Sequence, residues 1–247
     1  MRDPKKMKFD EIVDSSSDTF FYEPQIAFAL DSIRGARVLN IGCWTGNFES
    51  LAVEHAGSLT GLDVEPMALE VARSNVPGAT FVEGSVFELP FADGSFDAVT
   101  MFEVLEHIPV GTEREAFAEI ARVLAPGGAL MLTTPSWTLR SRLLDPAWLL
   151  TGHRHYRASD VVEMLGVSEL RTERTVVRGG WVYVATYLTF YFYKHALHKA
   201  MPHPDWLKRA YLHSTMSPGF ATMYIRARET GPHGGGQSAT KQDDYSN

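Results

Sequence analysis

Between Arg37 and Thr134 short apolar runs alternate with amphipathic ones, and no other feature limits the fold of this chain so tightly. The runs ARVLNI (36–41), SLTGLD (58–63), ATFVEG (79–84), SFDAVTMFEV (95–104) and ALMLTTP (129–135) have the length and apolar character of buried strands. FESLAVEHA (48–56), MALEVARSN (67–75) and EREAFAEIARVL (113–124) place apolar residues at helical spacing between them. Pro66 suits the first turn of its helix, and Pro126-Gly127-Gly128 stops the third. Nearly all-apolar strands linked through helices make a parallel sheet covered on both faces. Such sheets bind ligands beyond the carboxyl ends of their strands.

The second half reads differently. SDVVEMLG (159–166) is a short helix with Ser159 as its cap, and SELRTERTVV (168–177) and FATMYIRAR (220–228) have strand character. With them the expected fold is α/β: a seven-stranded, doubly wound, Rossmann-like sheet, mostly parallel with one antiparallel strand. Residues 178–219 form a connection of about 40 residues, far beyond the usual length, so helical structure of their own is expected. The expected organisation is one domain over 1–229, with 178–219 as an aromatic cap insertion. The Gly-rich, polar tail 230–247 reads as disordered.

Composition narrows the function classes. The 247 residues include 23 Lys+Arg and 30 Asp+Glu, a net charge of −7, which disfavours duplex nucleic acid as a partner. Apolar residues at 45% and charged residues at 21% exclude a disordered or fibrous chain. The one cysteine, Cys43, excludes an intramolecular disulfide and fits a reducing, cytoplasmic setting. MRDPKKMKFD lacks the apolar stretch of a secretory signal.

NIGCWTGNF (40–48) follows the first strand and opens a helix. Gly42 and Gly46 allow a sharp turn with room for a ligand against the backbone. Asp63 ends the second strand, where a carboxylate can accept both hydroxyls of a ribose. GxGxxG, GKS and GKT are absent, so a nucleoside without phosphates fits better than NAD or ATP.

VLNIGCWTGNF, LTGLDVEPMALEVAR, GSVFELPFADGSFDAVTMFEVLEHI and LAPGGALMLTTP, in that order over 36–135, resemble the consecutive motifs of the class I S-adenosylmethionine-dependent methyltransferases. The likeness is to the broad small-molecule group that contains the ubiquinone-pathway enzymes. It implies S-adenosylmethionine as cofactor, with Asn40, Gly42 and Gly46 lining its methionine end and Cys43 and Trp44 as further cofactor-binding residues of the same turn. It implies Asp63 at the ribose, Val64 at the adenine edge, and Ser85, Val86 and Phe87 around the adenine. Phe102 and Glu103 would close the site, and Tyr22 would cover it. Asn40 stands where an acid is common in the family, Trp44 where a glycine is common, and Ser85 where an Asp is common. A neutral hydrogen bond in place of a charge-assisted one weakens binding by on the order of 1 kcal/mol.

Glu103-Val104-Leu105-Glu106-His107 ends the fourth strand, where a methyl acceptor must approach, and Gly152-His153-Arg154-His155-Tyr156 comes later. Three readings stand side by side. In one, His107, His153 or His155 is a general base for transfer to oxygen. In another, Glu103, Glu106, His107 and one later histidine hold a divalent cation. That pattern resembles the metal site of methyltransferases acting on the terminal ribose of small RNAs. In the third, these residues only pack.

The run GGWVYVATYLTFYFY carries 15 uncharged residues between Arg178 and Lys194, short of the roughly 20 that span a bilayer. Lys194, Lys199, Lys208 and Arg209 follow. The stretch reads as a buried cap helix or a homodimer face. A second reading is a cap over an apolar acceptor, in peripheral contact with a membrane through 181–209. The expected activity is O-methylation of a small or lipid-linked acceptor. N- or C-methylation, and a non-catalytic binding protein of the same fold, are the alternatives.

Overall fold

The computed structural model describes residues 19–145, 148, 152–199 and 201–231. A 3-10 turn at Thr19–Tyr22 leads into α1, Glu23–Ile33, which has a proline in its first turn and buries Phe28, Ala29 and Ile33. β1 is Arg37–Ile41, α2 Asn47–Ala52, β2 Ser58–Asp63, α3 Pro66–Asn75, β3 Thr80–Glu83 and β4 Phe96–Phe102. Then come α4 Glu113–Val123, β5 Leu124–Pro135, α5 Leu139–Leu144, α6 Ala158–Val167 and β6 Leu170–Arg178. α7 is Trp181–Phe192 and runs on into a π-helical turn at Tyr193–Leu197; α8 is Asp205–Met216 and β7 Thr222–Glu229.

The seven strands form one sheet in the order β3-β2-β1-β4-β5-β7-β6. β1 pairs in parallel with both β2 and β4, and β7 lies antiparallel between β5 and β6. The sheet is therefore mostly parallel with one antiparallel strand, as the sequence predicts. The strand order reverses at β1 and β4, and the crevice beyond their carboxyl ends is where a doubly wound sheet receives its ligand.

Strand alternation splits the core into two layers. Leu39 and Ile41 face one side of the sheet, packing with Val99, Phe117, Ile120 and Leu165 under α4 and α6. Val38 faces the other side, packing with Phe28, Ile33 and Phe48 under α1 and α2. Boundaries differ from expectation in three places. α2 stops at Ala52, short of residue 56. β5 begins at Leu124, so the Pro-Gly-Gly that ends α4 already belongs to the next strand. Arg157, not Ser159, is the N-cap of α6; the Ser159 hydroxyl lies inside the first turn and donates to Asp160 at 2.9 Å. The expected disordered tail lies outside the described residues beyond Gly231.

Phe117 on α4 is fully buried at the centre of the larger layer. Phe117→Ala should lower unfolding free energy by about 3–5 kcal/mol, read from denaturant midpoints at unchanged slope.

Candidate functional site

The turn after β1 is fixed by its own backbone. The N–H groups of Gly42 and Cys43 both donate to the Leu62 carbonyl, at 2.8 and 3.1 Å, and Gly46 N–H donates to the Cys43 carbonyl at 2.9 Å. Gly42 and Gly46 have φ of +77° and +82°, and a side chain at Gly42 would collide with Val104. Trp44 takes the same left-handed region at φ +48° without being glycine, a conformation held at roughly 1–3 kcal/mol. Its N–H donates to Asp63 Oδ2 at 2.8 Å, while Glu65 N–H donates to Oδ1 at 3.0 Å. Burial raises the Asp63 pKa against the pull of these donors.

Beneath the turn lies a buried polar chain. Thr100 donates to Asn40 Oδ1 at 2.8 Å, and Asn40 Nδ2 donates to Glu49 Oε1 at 2.7 Å. Glu49 is fully buried, its Oε2 has no hydrogen-bond partner among the described residues, and burial pushes its pKa up to about 8. The sequence reading missed Glu49. Its signal was an acid in the first turn of a helix that opens at the glycine turn. Burial pushes the Tyr22 phenol up to about 12, and the fields of Glu49, Glu103 and Asp63 add to the shift. One tyrosine thus senses the carboxyl groups of both halves of the site.

The other residues expected at the nucleoside have the following surroundings. Phe102 packs edge-on to Phe48 at 5.2 Å. Ser85 Oγ accepts from Phe87 N–H at 3.3 Å. Val64 is exposed, whereas the side chains of Cys43 and Val86 are packed in core clusters.

Glu103 begins the second half of the site in a left-handed conformation, φ +55°, with its N–H bonded to the Thr133 carbonyl at 3.0 Å. It lines a cavity of about 150 Å³ together with Glu106, His153, His155 and, from α7, Tyr183, Tyr187 and Tyr191. The four-residue spacing puts those tyrosines on one helix face. Glu106 Oε2 accepts from Thr134 at 3.0 Å, and Oε1 of both glutamates is buried without a partner among the described residues. Burial raises both pKa values, and for Glu106 the charge of Glu103 raises it further.

Residues 152–156 present their histidines by alternation. Arg154 donates to Glu113 Oε1 at 2.5 Å and to the carbonyls of Leu105, at 2.9 Å, and Ile108. The Tyr156 hydroxyl reaches the Leu105 carbonyl and Glu113 Oε1, both at 3.0 Å. These anchors leave His153 and His155 facing the cavity. His155 Nε2 lies 3.4 Å from Asp145, and burial lowers the pKa of both histidines. His107 meets His153 edge-on at 4.4 Å, and desolvation, with His153 and Arg154, pushes it down to about 4. It does not line the cavity, and a base that weak is poorly matched to neutral pH. Donor atoms of Glu106, His107 and His153 lie within 4.8 Å of one another; Glu103 and His155 are outside that cluster.

Residues 39–132 match the family described as a methyltransferase domain. An O-methyltransferase of Aspergillus nomiae is 36% identical over 115 residues, covering 44% of this chain and 50% of that protein. A phthiotriol/phenolphthiotriol dimycocerosates methyltransferase of Mycobacterium ulcerans is 38% identical over 105 residues, 41% of this chain and 38% of that one. The solved structure of a SAM-dependent methyltransferase from Aquifex aeolicus superposes with a TM-score of 0.60 at 14% identity, covering 91% of this chain and all of the other. Over residues 39–132 the chain is thus similar to the methyltransferase domain, and its fold is the one seen in solved S-adenosylmethionine-dependent methyltransferases. It spans about half the length, or less, of the curated relatives it matches. The crevice fits that cofactor: a glycine turn that admits no side chain at Gly42, a strand-end carboxylate, and an unpartnered buried oxygen on Glu49.

The Arg154–Glu113 pair, with the Arg154 bonds to the Leu105 and Ile108 carbonyls, braces the 105–108 loop. Burial works to raise the Glu113 pKa, but the backbone, Arg154 and Tyr156 bonds outweigh it and the net shift is downward. A lowered carboxyl contributes stability above its unfolded pKa and loses it as pH falls through the folded one. Glu113→Gln should therefore destabilise the protein by about 2 kcal/mol at pH 7. In thermal unfolding the gap between variant and wild type should close as pH is taken well below 4.5.

Proposed function

We propose that this protein transfers the methyl group of S-adenosylmethionine to a hydroxyl of a small or lipid-linked acceptor. The observation that carries the reading is the position of Glu103. It directly follows β4, contributes to the field on Tyr22 together with Glu49 and Asp63, and also lines the tyrosine-faced cavity. Cofactor and acceptor spaces therefore meet at one carboxyl group.

In this reading Asp63 accepts the ribose hydroxyls, and the free Oε2 of Glu49 faces the cofactor's ammonium, taking the place of the acid missing at Asn40. The cofactor brings a methyl group already activated on a sulfonium. The chain's own task is to align the acceptor oxygen with that carbon and take up its proton as the new C–O bond forms and the C–S bond breaks. The Glu103/Glu106 pair suits the proton, because burial raises both pKa values and makes each carboxylate a stronger base. Transfer to oxygen rather than to nitrogen or carbon is supported by the O-methyltransferase names among the relatives. A lipid-linked acceptor is supported by the dimycocerosates methyltransferase. Glu103→Gln should lower turnover at least a hundredfold while leaving calorimetric binding of S-adenosylmethionine within about threefold. Parallel losses in both would take Glu103 out of proton transfer.

The Glu49 assignment has a pH signature. A carboxyl with a pKa of about 8 is mostly protonated at pH 7, and an ammonium beside it favours the ionised form. Binding then releases a proton, so affinity should rise from pH 6 toward pH 8 and level off above. Calorimetry in buffers of different ionisation enthalpy reads that release directly. Glu49→Gln should weaken binding about tenfold at pH 8 and flatten the slope. A slope unchanged in the variant counts against the assignment.

One observation favours a second reading, in which a divalent cation grips the acceptor: the Glu106, His107 and His153 donors converge. Carboxylate with imidazole suits several divalent metals. Under that reading chelator treatment abolishes activity and added metal restores it. Full activity after exhaustive chelation removes it.

A further inference from the structure

α7 has two faces with different surroundings. Tyr183, Tyr187 and Tyr191 line the acceptor cavity. On the opposite side Trp181, Leu188 and Phe192 are 61%, 43% and 56% exposed, with Ala185 exposed between them. The spacing i, i+4, i+7, i+11 makes this a continuous apolar stripe turned to water. α5 forms another wall of the same cavity through Ser141 and Leu144, and it turns Leu139 and Leu143 outward at 71% and 62% exposure. The outer surfaces of two cavity walls are thus greasy, where a monomer gains nothing by exposing them.

Within the two helices the only charges are those of Arg140 and Arg142, while Asp145, the C-cap of α5, lies 3.4 Å from His155 in the cavity lining. α5 has the sequence LRSRLL and α7 WVYVATYLTFYF, so neither carries an acid. The Arg140 guanidinium lies 5.9 Å from the Phe220 ring, and that ring lies 5.4 Å from Trp181, which joins the two surfaces. Arg157 covers Trp137 at 4.4 Å, and Lys194 sits 5.6 Å from Phe190 at the far end of α7. This is a cationic, aromatic rim on a chain whose net charge is −7. Apolar stripes bordered by Arg, Lys and Trp match the headgroup region of a bilayer with anionic lipids. Among the described residues no helix is long and apolar enough to cross a membrane.

We propose that the outer faces of α5 and α7 dock the protein on an anionic bilayer surface and bring the acceptor cavity to the lipid boundary. The delivery of an amphiphilic, lipid-linked acceptor rests on the methyl-transfer reading above; the docking itself does not. The full chain should co-sediment with vesicles of equimolar phosphatidylcholine and phosphatidylglycerol, less with phosphatidylcholine alone, and less again in high salt. The double variant Leu188→Glu/Phe192→Glu should lose roughly tenfold or more of that partition. It should keep wild-type S-adenosylmethionine binding, measured without vesicles, since neither residue lines the cavity.

Three results would overturn the docking: full-length protein left in the supernatant with anionic vesicles, equal partition of variant and wild type, or a solution dimer that the double variant dissociates. The last would make the stripe a contact between two copies of the chain. Failure to bind S-adenosylmethionine, seen without lipid, would sink the methyl-transfer reading and leave the sedimentation result standing.

Discussion

Glu49, Asn40 and Thr100 form one hydrogen-bonded line from α2 across β1 to β4, at the place where the strand order reverses. Each member is buried, so the chain is tolerable only because its groups satisfy one another. The line ties together the three elements that bound the nucleoside crevice. It also leaves Oε2 of the Glu49 carboxyl buried with no hydrogen-bond partner among the described residues. An unpartnered buried acceptor is destabilising by itself, by roughly 1–3 kcal/mol. A cationic ligand that met it would recover that loss, and binding to the folded state alone would add stability by mass action.

The same logic extends across the site. Asp63, Glu49, Glu103 and Glu106 all have pKa values raised first by burial. A carboxyl raised in the folded state favours folding while it is protonated. That advantage is lost as pH rises through the folded value. Two non-glycine residues in the left-handed region, Trp44 and Glu103, sit in this crowd and add backbone strain. Strain and desolvated acids gather in one crevice, and the two-layered core of the sheet supplies the stability that holds them.

The cofactor half was legible because it is local. Strand, glycine turn, helix and strand-end acid follow one another within residues 37–63, so their spacing in sequence nearly fixes their spacing in the fold. Asn40 illustrates the limit. Read alone it looks like an acid lost; in the fold Glu49, nine positions on, brings a carboxyl to the same buried line. Helical spacing could put Glu49 on an inward face, but only tertiary packing says which inward face. Cys43 and Val86 show the complementary limit. Position in a motif says nothing about side chains that turn into the core.

The acceptor half was less legible because its walls come from distant segments. The interval His153–His155 looked like a pair of ligands or bases. Arg154 and Tyr156, on the alternate positions, anchor the segment through Glu113, some 40 residues earlier, and no local pattern reports that pairing. The aromatic run on α7 was the hardest to read. Composition alone offered burial, a dimer face or a lipid contact as rival uses of one helix, but helical geometry allows more than one use at once. Tyrosines four apart serve the cavity, and an apolar stripe on the opposite face remains in water. A helix that served only as a buried cap would hide both faces. Its low amphipathicity, which blurs the signal in sequence, is therefore what two different apolar neighbours on opposite faces of one helix require.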